Sequence, residues 1–551
     1  MRPFSLAHRS DDVADASTGV DVLVVGMGAT GAGVALDAAS RGLSVAVIDK
    51  GDLASGTSSK SSKLVHGGLR YLENYEFSLV REGVLERQQL MRLAPHLVRP
   101  MDFVYPVWPD TAKRRLLGLG LTTYDVFAGV RNVRRHEKVD AVEAITLAPA
   151  LARSGLDYAY VYGDCATDDA RLVLSVVQTA RSFGAVALTY TEATQLLVSH
   201  DGAVRGAAVR DAITGQSYEI SARHVVNATG IWVDTLLGQA GQKSPLVVPS
   251  KGVHLVVDHD RLPLTGASVL LPSRAGDGRS MFAIPWGRQT ILGTTDTEYD
   301  GPLDQISVDG DDLAYVLRAG NDVFDMNLSE DDVLGAWAGA RPLLRGEGDS
   351  MSDLSRRHTL IASPGGLVTI TGGKLTTYRR MAAEVVDLLV ARDGKSAPCR
   401  TDDIPLGGTG RSYEAVLADV TAAAEALGLD DEVAVTLTRQ QGEEAASVLS
   451  IVAGDAATGR ALSPSAAHLM AEVVQAARHE GAACLDDVFS RRMRLSLRAR
   501  DAGLPSAAAA ATVLATETGR DAAWAAGQVP AYLAAVAAER GILGAVLPVS
   551  A

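Results

Sequence analysis

The sequence predicts an α/β protein with an N-terminal strand–helix–strand unit, an antiparallel β region in its middle and a small all-α domain at its C-terminal end. Three observations predict it. Residues 21–49 run through a strand-like apolar stretch, a glycine turn, a segment of helix formers, a second apolar stretch and an acid. Residues 245–300 alternate apolar and polar, with turns at Pro272 and Gly276–Gly278, as an antiparallel sheet with one buried face does. After a linker at 398–410, which holds Pro405, Gly407, Gly408 and Gly410, the composition turns Ala-rich and helical to about residue 540.

In the first unit Val22–Val25 is short enough for a buried strand. Gly26-Met27-Gly28-Ala29-Thr30-Gly31 follows at once, Ala32–Arg41 favours helix, and Leu43–Ile48 ends on Asp49. In a Rossmann-like dinucleotide site each glycine has a task. Gly26 permits the tight turn, Gly28 lets a pyrophosphate approach the backbone, and Gly31 lets helix and strand pack closely. The helix N-terminus offers its N–H groups to the phosphates. Asp49 lies 23 residues after Gly26, where a carboxylate meets ribose hydroxyls, and an acid there argues against a 2′-phosphate. On this stretch alone FAD and NAD both stay open, and an ordinary βαβ unit could use the same glycines for packing.

The 551-residue chain is long enough for two or three domains, and its 47% apolar content is that of a globular protein. A net charge of −14 argues against nucleic acid as the main partner. Cys165, Cys399 and Cys484 are far apart without CxxC spacing, which argues against disulfides and against a cysteine-rich metal site; no metal is expected. No apolar run reaches the length of a spanning helix. Residues 1–19 are polar and mixed in charge, which predicts a disordered tail. Elsewhere the local pattern predicts helices at 74–100, 172–180 and 310–335, and strands at 186–190, 195–199, 204–210, 222–227 and 368–371.

Directly after Asp49, residues 51–63 carry six hydroxyl side chains, suited to turns, caps and hydrogen bonds to a phosphate or ring edge. Residues 64–73 read LVHGGLRYLE. The run from Ala54 to Glu73 resembles the signature of the FAD-dependent glycerol-3-phosphate dehydrogenases. Further similar segments recur in order: Tyr162–Cys165 with Asp168–Leu172, Val226–Gly230, Lys251–His254, Ile284–Trp286, Gly293–Tyr299, Arg341–Leu343 and Gly372–Arg379. The resemblance is strong over residues 20–400 and weak beyond. It departs at Met27, which replaces the middle of three glycines at a position inside the turn that carries no chemistry.

The resemblance implies a Rossmann-like FAD-binding domain in three pieces, 20–90, 155–240 and 345–398. An antiparallel β substrate domain, 91–154 and 241–344, is inserted in it, and an all-α C-terminal cap domain spans 405–545. It implies one FAD, held without a covalent bond, at Gly26, Gly28, Gly31, Asp49, Thr57, Ser58, Ser61, Ser62, Ala228, Gly230, Gly373, Leu375 and Thr376. The reaction implied is oxidation of sn-glycerol 3-phosphate to dihydroxyacetone phosphate, with a hydride passing from C2 to flavin N5. A doubly charged phosphate calls for several fixed cations. Arg70, Arg341, Arg356 and Lys374 are the candidates, with Tyr71 as a neutral donor; Arg70 and Lys374 follow glycine pairs, at turns where backbone meets cofactor. The C2 hydroxyl proton calls for a group that titrates near neutrality. His254 is the first choice and His66 the second, while Arg341 polarises the developing alkoxide.

The family passes electrons to quinone, so the expected partners are glycerol 3-phosphate, a membrane quinone and the membrane surface; a homodimer is left open. The expected location is cytoplasmic, peripherally attached to the cytoplasmic membrane through amphipathic helices and basic patches. Lys113, Arg114 and Arg115 form a solvated face or meet phosphate or lipid headgroups. Arg491, Arg492, Arg494, Arg498 and Arg500 form an exposed or interdomain salt-bridged face, or meet an anionic membrane. A glycerol-3-phosphate oxidase using oxygen, and a flavin-binding sensor without chemistry, share parts of the pattern.

Overall fold

The computed structural model describes residues 2–72, 76–111, 114–272, 280–344, 357–464 and 466–546. Strand Val20–Val25 lies at the centre of the first sheet, in parallel register with Val45–Ile48 on one side and Ser217–Asn227 on the other. Val186–Leu188 and Val368–Thr371 extend the parallel part outward, and Thr359–Ala362 closes one edge antiparallel. Alternate residues serve two cores. Val22, Val24, Val45 and Val47 pack under helices Ala29–Ser40, Asp169–Ser182 and Tyr378–Arg392. Leu23, Val25, Ala46 and Ile48 pack against Leu196, Val209 and Leu236 on the opposite face. Burial on both faces is why these strands read as unbroken apolar runs. Ser217–Asn227 has two roles: residues 217–221 pair antiparallel within the meander of Thr191–Val198 and Val204–Asp211, and residues 222–227 join the parallel sheet.

The second sheet is mostly antiparallel. It runs from Thr297–Glu298 through Val247–Asp258, Gln289–Gly293, Ser280–Trp286, Ser268–Pro272, Arg99–Val107 and Tyr158–Ala166 to Leu64–Val65, and Val333–Leu344 pairs with Val247–Asp258 off that path. Beyond the linker, helices Tyr413–Ala426, Asp431–Gln441, Ala445–Gly454, Met470–His479, Leu504–Thr518 and Ala522–Arg540 build the C-terminal domain, together with a small hairpin of Ala461–Ser463 and Ala466–Leu469.

Three expectations need correction. Residues 1–19 are not a disordered tail: Arg9–Ser17 is helical, and Arg9 is buried with its guanidinium on Asp211 (2.8 Å), the Thr189 carbonyl and Thr191. Phe4 is buried as well, and its carbonyl accepts from the Gly481 N–H at 2.8 Å. Charged partners, which no apolar periodicity betrays, hold this segment. Secondly, Leu64–Val65 and Tyr158–Ala166, placed with the first domain, pair in the second sheet. Thirdly, the helical stretch at 310–335 ends at Val323, and Val333–Leu344 is a strand. Its small residues have low β-propensity but make room: a Cβ on Gly335 would come within 2.3 Å of the Leu497 carbonyl oxygen, and one on Gly339 within 2.4 Å of the Lys60 Cβ. Of the two readings of the five arginines at 491–500, the interdomain salt-bridged face holds and the membrane face does not. Arg491 and Arg492 hold Asp52, Arg494 holds Asp168 and Asp169, Arg498 binds Gln289 at 3.0 Å, and Arg500 donates to the Asp331 carbonyl.

Candidate active site

A cavity of about 780 Å³ reaches from the glycine turn of the first sheet to the strands of the second. At the turn Gly26 has φ +105°, and a Cβ there would lie 2.5 Å from the Ala228 carbonyl oxygen. A Cβ on Gly31 would sit 1.8 Å from the Gly26 carbonyl oxygen, so Gly31 works by packing and does not line the cavity. Gly28 starts helix Ala29–Ser40 without a side-chain cap, and the Ala29 N–H donates to Ser58 Oγ at 2.9 Å. The Asp49 carboxylate accepts from the Met27 N–H (2.7 Å) and the Gly51 N–H (3.0 Å), which ties the turn to the end of the second strand. Burial raises its pKa to about 6. A carboxylate has about four acceptor directions, so two stay available for hydroxyls in the cavity. Bare backbone at a helix start with an acid beside it is a donor and acceptor set that fits the pyrophosphate and ribose of FAD. Trp232 lines the same end, with the Lys50 ammonium 4.3 Å above its ring.

The other end is set by strand register. His254 stands opposite Trp337, Gly252 opposite Gly339, and Ser250 opposite Arg341. Period-2 alternation puts His254 and Gly252 on one face of their strand and Trp337, Gly339 and Arg341 on the matching face of the next. Gly252 clears the floor: a Cβ there would fall 2.6 Å from Arg341 Nη2. The Arg341 guanidinium is oriented by Thr294 Oγ1 (3.1 Å), the Thr295 carbonyl (3.2 Å) and Asp296 (3.3 Å). His254 is buried and stacks on Trp337, with ring centroids 4.7 Å apart and 12° between planes. Its Nε2 shares a 2.8 Å hydrogen bond with Ser62 Oγ, while Nδ1 is buried with no hydrogen-bond partner among the described residues. Burial first, then the charges of Arg341 and Lys63, hold the imidazole well below its usual pKa of 6.5, so the expectation of a group titrating near neutrality is not met at His254.

The loop 64–72 closes the cavity from above. Gly68 has φ +82°, and a Cβ there would strike the Tyr71 ring at 2.3 Å and Lys374 Nζ at 2.8 Å. The Lys374 ammonium lies 3.6 Å over the Tyr71 ring centroid. Gly372 and Gly373 both have positive φ and carry the chain into Lys374 and the turn Leu375–Thr377. Thr376 Oγ1 accepts from the His66 N–H at 3.2 Å and so ties the two loops. Burial pushes His66 down to about 4, with Lys374 adding to the shift and Asp164 opposing it. Beneath the loop, Gly67 N–H donates to Tyr124 Oη at 2.9 Å, and Arg87 pairs with Asp164 at 2.5 Å, both buried.

His254, Arg341, Lys374, Tyr71 and His66 thus line one cavity with Gly26, Gly28, Asp49, Thr57, Ser58, Ser61, Ser62, Ala228, Gly230, Gly373, Leu375 and Thr376. Two hydroxyls of the serine-rich loop already have protein acceptors: Thr57 donates to the Ala340 carbonyl at 2.7 Å and Ser61 to Asp169 at 2.6 Å. The Arg70 side chain, all of Arg356 and Lys113 lie outside the described residues. The sequence reading missed Thr294 and Asp296 as holders of Arg341, although both stand in the Gly293–Tyr299 segment. It also missed Trp337 and Trp232, for which no local signal exists.

Residues 21–379 match the FAD dependent oxidoreductase family, and residues 399–525 match the C-terminal domain of alpha-glycerophosphate oxidase. The chain is 39% identical over 522 residues to glycerol-3-phosphate dehydrogenase 2 of Mycobacterium tuberculosis (strain ATCC 25618 / H37Rv), covering 94% of this chain and 88% of that one. It is 37% identical over 486 residues to the aerobic glycerol-3-phosphate dehydrogenase of Bacillus subtilis (strain 168), covering 86% of each. Among solved structures it is similar to the glycerol-3-phosphate dehydrogenase of Bacillus halodurans complexed with FAD, with a TM-score of 0.82, 30% identity, and coverage of 100% of this chain and 99% of that one.

Proposed function

The chain belongs to the FAD-dependent glycerol-3-phosphate dehydrogenases, and on that premise we propose that it oxidises sn-glycerol 3-phosphate to dihydroxyacetone phosphate and hands the electrons to a membrane quinone. The observation that carries the reading is the continuous cavity, with the glycine turn and Asp49 at one end and His254, Arg341 and Lys374 at the other. Bound FAD supplies the two-electron acceptor. Lys374 presents a fixed cation to the phosphate, the role that the sequence also suggests for Arg70 and Arg356. Arg341, already oriented by Thr294 and Asp296, stabilises negative charge as it grows on the C2 oxygen. His254 takes the C2 hydroxyl proton. Its lowered pKa keeps the ring neutral and able to accept, and Trp337 and Ser62 fix the ring's plane. The test is an anaerobic titration of the purified yellow protein with glycerol 3-phosphate. Bleaching of the flavin band supports the enzyme, and no bleaching at saturating substrate sinks it.

Membrane docking draws support from one helix. Leu116 (60% exposed), Leu119 (66%) and Val126 (71%) recur in Arg114–Ala128 at spacings that share one helical face, and Val130 (97%) is exposed in the turn Gly129–Arg131 that follows. Leu116 and Leu119 also edge the cavity. No helix among the described residues is long and apolar enough to cross a membrane, so contact through this stripe is peripheral. Val126→Ser with Val130→Ser should lower the fraction that floats with anionic vesicles and spare turnover with a soluble acceptor; unchanged flotation refutes this face. The oxidase reading has one observation in its favour, the C-terminal match to a glycerophosphate oxidase domain. Admitting air to the bleached protein separates the two: colour that returns within seconds favours oxygen as acceptor, and colour that returns only with a quinone analogue favours the dehydrogenase.

A further inference from the structure

The arginine segment of the helical domain reaches Asp52, Asp168 and Asp169, behind the lining of the cavity. Arg492 and Arg494 are each 1% exposed. Arg494, whose backbone is left-handed at φ +64°, points Nη2 to Asp168 at 2.7 Å and to Asp169 at 2.5 Å. Asp169 in turn accepts from the Ser61 N–H (3.1 Å), the Ser61 hydroxyl (2.6 Å) and the Lys63 ammonium (3.0 Å to each oxygen). The residue between these two is Ser62, whose hydroxyl meets His254 Nε2. The Lys63 ammonium also lies 4.7 Å from the centroid of Trp337, the ring on which His254 stacks. Two routes therefore lead from one guanidinium of the helical domain to His254, one along residues 61–62 and one through Lys63 and Trp337.

We propose that Arg494 is a positioning residue for the reaction: by fixing Asp169 it holds the loop 59–63, and with it the Ser62 hydroxyl and the Trp337 face that orient the His254 ring. An arginine suits the place because one planar fork can serve two adjacent carboxylates at once. Without it Asp168 and Asp169 face a single buried ammonium, an arrangement that cannot keep both charges satisfied. The helical domain is then a working part of the active site. The inference rests on His254 as the proton acceptor, and its test separates the two.

Arg494→Lys keeps a cation and guards against the misfolding that Arg494→Met invites. The full chain is made with each change, with and without His254→Gln, and Arg478→Ala, an exposed partner of Glu517 in the same domain, serves as control. Hydrogen exchange is followed by mass spectrometry on FAD-free and FAD-loaded protein, and kcat and KM are normalised to bound FAD. In Arg494→Lys the amides of 59–66 should exchange about tenfold faster while those of Val20–Val25 stay protected. The kcat should fall roughly tenfold to a hundredfold with KM within about twofold. In the His254→Gln background the same change should still loosen 59–66 but lower kcat no further. Exchange of 59–66 unaltered in folded Arg494→Lys overturns the proposal, and so does an equal loss of kcat in both backgrounds. A His254→Gln protein that keeps its kcat defeats the proton-acceptor reading instead and leaves Arg494's hold on the loop to the exchange data.

Discussion

Replacing Lys374 by Met tests the phosphate clamp with little loss of packing, because the unbranched stem is nearly kept. Two interactions of the ammonium decide the comparison. One is the cation–π contact with Tyr71, at 3.6 Å from the centroid, worth about 0.5–2 kcal/mol. The other is a charge-assisted hydrogen bond to a phosphate oxygen, worth about 1.5–3 kcal/mol. The first is lost for any substrate, since it belongs to the protein. The second is lost only where a phosphate is present. At about 1.4 kcal/mol per decade, the preference for glycerol 3-phosphate over glycerol should shrink by roughly tenfold to a hundredfold or somewhat more. The loss for glycerol alone should stay within about thirtyfold, the ceiling that the cation–π range sets. The assay is kcat/KM for both substrates with a soluble acceptor at fixed ionic strength, on protein whose FAD content has been measured. If both substrates lose the same factor, Lys374 supports the loop or the cofactor, and the clamp is wrong.

His254→Gln should lower kcat by about a hundredfold or more, the scale of a positioned general base, with FAD content unchanged; anaerobic stopped-flow reduction reads it directly. Burial keeps His254 well below 6.5, so the wild-type kcat/KM profile should have no acid limb near pH 6.5 from this ring, and a limb there that disappears in His254→Gln contradicts the geometry. Asp49 titrates at about 6 in the fold against 3.8 for an ordinary aspartate. A raised carboxylate contributes stability below the ordinary pKa and loses it as pH rises through the folded one. The Tm deficit of FAD-free Asp49→Asn relative to wild type should therefore be largest near pH 4 and shrink as pH passes about 6; a deficit that grows with pH refutes the shift.

The parts of this molecule that could be read from sequence are those whose physics is local. The glycine turn is legible because its strand, turn, helix and acid all fall within residues 21–49, although Gly26 also answers to the distant Ala228, and Gly68 because it sits inside a twenty-residue motif. The strand Val333–Leu344 is not. Its Gly335 and Gly339 look like breaks until Leu497 and Lys60 are seen packed on them. Trp337 illustrates the same limit: a tryptophan between alanines gives no sign that it will stack on a histidine 83 positions earlier. The helix Arg9–Ser17 was hidden for a different reason, since it is held by Asp211 and Arg181 through charge, and a short helix with buried ion pairs has the composition of a tail. The arginines at 491–500 were visible as a cluster, but their carboxylates are spread over Asp52, Asp168 and Asp169, so sequence could not choose between solvent, lipid and protein.

The parallel part of the first sheet draws its strands from Val20–Val25, Val45–Ile48, Val186–Leu188, Ser217–Asn227 and Val368–Thr371. On the ribosome the glycine turn emerges first and waits through more than 300 residues of synthesis before its outermost parallel neighbour exists. Such distant pairings close slowly. The nucleotide cleft is consequently a late product of translation, and the helical domain, made last, locks the serine-rich loop only when Arg491–Arg494 have left the exit tunnel. A nascent chain in that interval presents a sheet face not yet covered by Tyr378–Arg392, a state suited to a chaperone's grip.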